Sequence, residues 1–72
     1  MTTQILRPRI IRIKEVKTIT GLSRSTIYEM MKAGNFPKPI KLGSHSVGWI
    51  ESEVQDWISL LMEARNEGVA AF

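Results

Sequence analysis

Residues Ile19–Lys41, ITGLSRSTIYEMMKAGNFPKPIK, decide how the rest of the chain is read. The stretch runs helix end, glycine turn, capped helix, glycine stop and proline-forced exit. Gly21 suits the left-handed backbone that closes a helix. Ser23 is an N-cap, its side-chain oxygen able to accept a free N–H two or three residues on. A second helix is predicted over 24–33, with Ile27, Met30 and Met31 as its i, i+3, i+4 apolar stripe. Gly34 closes it, and Phe36 before Pro37 is driven into an extended conformation. Two short helices about a glycine turn form a helix-turn-helix, whose second helix can enter a DNA groove.

Outward from this stretch, Lys14–Thr20 reads as the first helix, with Val16 and Ile19 as its apolar pair. Leu22 then turns back into the core. Ile10–Ile13 is β-branched and favours a brief extended segment. Residues 1–9 read as a flexible basic arm, since Pro8 lacks an N–H and extends Arg7. Downstream, 38–50 reads as a β-hairpin: Ile40 and Leu42 alternate with Lys41, Val47 and Trp49 alternate with Gly48, and Gly43–Ser46 is the loop. Ser52-Glu53-Val54-Gln55 has the form of a capping box opening a last helix. Val54, Trp57, Ile58, Leu61 and Met62 give that helix a buried stripe. Glu53 and Asp56 in its first turns complement the helix dipole. Gly68 is expected to end it, leaving 69–72 as a frayed tail.

The expected fold is therefore mainly α with a small β-hairpin, a minimal winged helix-turn-helix over 10–68. Its 72 residues make one small domain. No cysteine is present, which removes disulfides, cysteine zinc sites and thiol chemistry. No apolar run approaches the roughly 20 residues of a membrane span, and the start lacks a signal-peptide pattern. The expectation is a cytoplasmic protein.

Charge is divided along the chain. Residues 1–50 carry nine Lys and Arg against Glu15 and Glu29, whereas 51–72 carry Arg65 against Glu51, Glu53, Asp56, Glu63 and Glu67. A basic body beside an acidic helix suits a polyanion bound on one side. On the second helix, Arg24, Ser25, Tyr28, Glu29 and Lys32 fall away from the apolar stripe. Arg24 has the fork to grip guanine or phosphate, Ser25 and Thr26 can donate to phosphate, Tyr28 can pack on sugar, and the cap Ser23 is counted with them among the DNA-binding residues. Lys32 would meet backbone. On the hairpin, Lys38, Lys41, Ser44, His45 and Ser46 would make the wing contact.

His45 is the one histidine, with neither the several ligands a metal needs nor the positioned partner a general base needs. Phosphate-loop, nucleophile-elbow and HExxH motifs are all missing. No enzyme activity, cofactor or metal is expected. Leu60 and the apolar end Val69–Phe72 support a different class of function, a module docking a host protein.

Three segments, GLSRSTIY (21–28), FPKPIKLG (36–43) and VGWIESEV (47–54), stand in an order and spacing that resemble the AlpA family of small phage-type regulators. That family is similar to excisionases and to the DNA-binding domain of MerR-type proteins. The resemblance spans about Arg9 to Leu61. It implies a winged helix-turn-helix on double-stranded DNA, acting as a transcriptional regulator of prophage or integrative-element genes, often of an integrase or excision system. Relatives of this kind also act as recombination directionality factors on attachment-site DNA. Carried onto this chain, the recognition helix is Ser23–Lys32, with Arg24, Ser25, Thr26 and Tyr28 at contact positions, and the wing is Pro39–Trp49. Many relatives carry Arg in the wing loop where this chain has His45. Arg is charged at any working pH whereas histidine titrates in the physiological range, so a weaker or pH-dependent wing contact is expected. A domain this small reads few base pairs, so a homodimer, tandem binding or an integrase partner is expected.

Overall fold

The computed structural model describes residues 8–67. The expectations for residues 1–7 of the arm and for Gly68–Phe72 lie outside the described residues. The element order is β1 (Ile10–Ile11), α1 (Ile13–Thr20), α2 (Arg24–Lys32), β2 (Ile40–Lys41), β3 (Val47–Ile50) and α3 (Glu51–Asn66). This is a minimal winged helix-turn-helix.

Both turns flanking α2 follow from their glycines. Gly21 sits at φ 76°, and its N–H donates to the Lys17 carbonyl at 2.8 Å. Gly34 sits at φ 82°. Its N–H reaches the Met31 carbonyl at 3.0 Å, and the Asn35 N–H reaches Met30 at 2.8 Å. That pair of bonds is a Schellman closure, which satisfies carbonyls that the helix end would otherwise leave open.

The extended segment at Ile10 becomes a paired strand, so the sheet has three strands rather than the expected two, in the order β1-β3-β2. Both pairings are antiparallel: Ile10 faces Ile50 and Ile11 faces Trp49, while Ile40 faces Gly48 and Lys41 faces Val47. Gly48 is buried at the centre. A Cβ there would run into the Ile10 Cγ2 and lie 3.1 Å from Leu42 Cδ1 and 3.3 Å from the Ile11 carbonyl oxygen. The bare glycine lets Ile10 and Leu42 close over one face of β3. Trp49 leaves the opposite face and is fully buried.

The core is Ile11, Val16, Ile27, Phe36, Trp49 and Val54. It draws at least one residue from β1, β3, each helix and the turn after α2. Burying side chains of this size stabilises by about 1.5–3 kcal/mol each. Two tryptophans also satisfy their indole N–H groups on the chain between α2 and β2. Trp49 donates to the Pro37 carbonyl at 3.1 Å and Trp57 to the Asn35 carbonyl at 2.8 Å. The Trp57 ring meets Phe36 edge to face at 4.7 Å.

The start of α3 differs from expectation. Its N-cap is Ile50, with no side-chain cap, so Ser52 lies within the first turn and the capping box does not form. The helix follows β3 directly, and the Glu51 N–H is met by the Arg9 carbonyl at 2.8 Å. The expected stripe also stops early. Val54 is buried and Trp57 and Ile58 are half-buried, but Leu61 and Met62 are 52% and 48% exposed. The reason is length: α3 has 16 residues against 8 in α1 and 9 in α2, so its second half outruns the elements beneath it.

Candidate nucleic-acid interface

The first turn of α2 is held by hydroxyls. Ser23 Oγ accepts the Thr26 N–H at 3.2 Å and donates to Thr26 Oγ1 at 2.9 Å. The Ser25 hydroxyl lies 3.4 Å from the Ser23 oxygen. Ser23 is thus the predicted cap, and Thr26 is half-buried beside it. Arg24 and Ser25 are exposed. No acidic residue occupies this turn, so nothing on the helix offsets its positive end, which favours an external anion.

Arg24 lies over the Tyr28 ring, Cζ 5.2 Å from the centroid. Such a stacked cation is held in place without losing its N–H donors. Tyr28 is half-buried, its other neighbour being Trp49, met edge to face at 6.3 Å and 74°. α2 is therefore seated on the core through the same residue that orients Arg24.

Tyr28, Glu29, Met31 and Lys32 share an open concavity with Lys38 and Pro39. Lys32, at the end of α2, and Lys38, in the connection to β2, are thereby brought to one site. Pro37 and Pro39 flank Lys38 and stiffen its approach, since each fixes its own φ. Among the described residues, neither Arg24, Lys32, Lys38 nor Lys41 takes part in an ion pair. Lys41, Ser44 and His45 are exposed on the hairpin, while Ser46 is half-buried. The Ser46 carbonyl accepts N–H groups from Leu42 at 2.8 Å and Gly43 at 3.3 Å, which closes the loop.

Arg9 was expected on a free arm. Its guanidinium instead bonds Glu15 and Glu51, each at 3.0 Å. Two carboxylates on α1 and α3 were not legible as its partners, because they stand 6 and 42 residues away. Glu29 is the residue of the concavity that the sequence left without a role. Among the described residues no group of three or more potential metal ligands occurs, and no helix is long and apolar enough to cross a membrane.

The fold and this surface can be set beside known proteins. Residues 9–61 match the family described as prophage CP4-57 regulatory protein (AlpA). The chain is 42% identical over 67 residues to the uncharacterized protein ORF88 of Enterobacteria phage P4, covering 93% of this chain and 76% of that one. It is also 42% identical over 57 residues to the DNA-binding transcriptional activator AlpA of Escherichia coli (strain K12), covering 71% of this chain and 81% of that one. The family is one of regulators, not of enzymes. Its match begins at the arginine that ties α1 to α3 and ends at Leu61, where α3 leaves the body, so it takes in the whole helix-turn-helix, wing and core: the chain belongs to the AlpA family of prophage regulatory proteins.

Proposed function

We propose that this protein is a sequence-specific, double-stranded-DNA-binding transcriptional regulator of the prophage or integrative-element type, controlling integrase or excision genes. α2 lies in the major groove with its first turn toward base edges, and the wing runs along the adjacent backbone. Arg24 grips guanine or phosphate. Lys32, Lys38 and Lys41 neutralise phosphates, and Ser25, Ser44 and His45 add shorter polar contacts. The observation that carries this reading is the cationic surface around α2: Arg24 laid on Tyr28, and Lys32 and Lys38 lining one concavity, none of them in an ion pair among the described residues. The relative from Escherichia coli, a DNA-binding transcriptional activator by name, supports the same reading.

The test is a salt titration of binding to the duplex upstream of the protein's own gene, against a scrambled duplex of equal length. Binding should favour the upstream duplex. With four cations on phosphates, log K should fall against log salt with a slope of about −3 to −4. Absence of binding to both duplexes at low salt would overturn the reading.

A further inference from the structure

The outward crest of α2 carries a serine, a carboxylate and one cation: Ser25, Glu29 and Lys32. At about 100° per residue, the buried side of the helix is set by Ile27, with Met30 and Met31 beside it. Glu29 lies about 160° around from Ile27, and Ser25 lies on the same crest one turn earlier. Arg24 and Tyr28 stand toward one flank. Glu29 is exposed, lines the concavity with Lys32 and Lys38, and has no ion-pair partner among the described residues.

A carboxylate at the crest of a groove-entering helix is a liability on a polyanion. It accepts hydrogen bonds and donates none, so phosphate repels it and guanine offers it no donor in the major groove. What offsets this is a donor on a base edge; adenine N6 and cytosine N4 both offer one, but adenine sets the acceptor N7 beside its amino group, so the cytosine N4 amino group is the major-groove partner better suited to a carboxylate. We propose that Glu29 is a specificity-determining residue that accepts from a cytosine N4 amino group and rejects sequences lacking cytosine at that position. This rests on the reading of α2 as the recognition helix. Lys32 and Lys38, which line the concavity with Glu29, hold neighbouring phosphates and set the depth at which the carboxylate meets the base. Affinity then comes from the cations and discrimination from the carboxylate.

The experiment selects bound duplexes from a randomised pool with the wild-type protein and with Glu29→Ala and Glu29→Gln in parallel. Their affinities for the selected and scrambled duplexes are then measured. Glu29 is exposed and both variants keep the core intact. A wild-type consensus with one cytosine that becomes degenerate in both variants is expected. Discrimination at that pair should fall roughly 10- to 100-fold, while affinity for scrambled duplex rises. The same consensus in all three proteins, or an equal rise in affinity on both duplexes, would overturn the assignment while leaving the DNA reading intact. A wild-type selection yielding no consensus would overturn both.

Discussion

The first turns of α2 and α3 are built on opposite plans. α3 opens with Glu51 and Glu53, so the positive end of the helix is neutralised by the chain itself. Glu51 is further tied to Arg9, whose carbonyl also takes its N–H. α2 opens with Arg24 and has no acid in its first turn, so its positive end is reinforced rather than offset. Its cap is a hydroxyl network, which satisfies the N–H groups without adding negative charge. Near a helix terminus such charge placement is worth about 0.3–1 kcal/mol either way. α3 is arranged for the stability of the fold, and α2 forgoes part of that stability to leave a positive terminus open.

Replacing Arg24 gives the sharpest break in this contrast. Arg24→Ala should weaken binding to the preferred duplex by about 1–3 kcal/mol, and Arg24→Glu by more. Yet Arg24→Glu gives α2 the first turn that α3 has, and should raise folding stability by about 0.3–1 kcal/mol. Urea unfolding beside duplex titration reads both signs. A loss of stability together with binding would mean that Arg24 on Tyr28 is part of the packing, and the contrast would fail. Equal loss on preferred and scrambled duplexes would place Arg24 on phosphate.

That asymmetry was partly legible in the sequence. Gly21, Ser23, Gly34 and Pro37 act locally, and each determined its own turn or cap through its conformational range or its short side chain. The apolar spacing of α2 likewise gave its buried side. What escaped depended on partners remote in the chain. β1 is a strand only because Trp49 and Ile50 lie beside it. Ser52 fits a capping box by spacing, but β3 runs straight into the helix and takes the cap position for Ile50. Leu61 and Met62 fit a helical stripe, and periodicity carries no information on where the packed partner ends. Lys32 and Lys38 could each be named from the sequence, whereas the concavity uniting them needed the fold.

A smaller effect is expected at the cap of α2. Ser23→Ala removes the acceptor of the Thr26 N–H and the partner of its hydroxyl, and should cost about 1 kcal/mol of stability. Binding to duplex should fall only as far as α2 frays. That is checked by repeating the titration at low temperature, where the folded population is saturated. A binding loss that persists there would give Ser23 a direct contact beyond its cap.

The smallest effect is expected at the first turn of α3, and it separates two roles for Arg9. Its side chain is 60% exposed while bonded to Glu15 and Glu51, and exposed pairs of this kind contribute about 0–1 kcal/mol. Glu51→Gln removes one of the two carboxylates and the charge at the helix start, so stability should fall by a few tenths to about 1 kcal/mol. The loss should shrink in high salt, since screening weakens exposed pairs. If Arg9 is a brace between α1 and α3, duplex affinity in Glu51→Gln stays level, because the cations of α2 are untouched. If Arg9 is instead a basic arm held back from DNA, loosening it raises affinity and steepens the salt slope by about one phosphate. The bonds to two different helices favour the brace: a guanidinium reaching for phosphate would first have to break both, leaving Glu15 and Glu51 facing a polyanion unpaired.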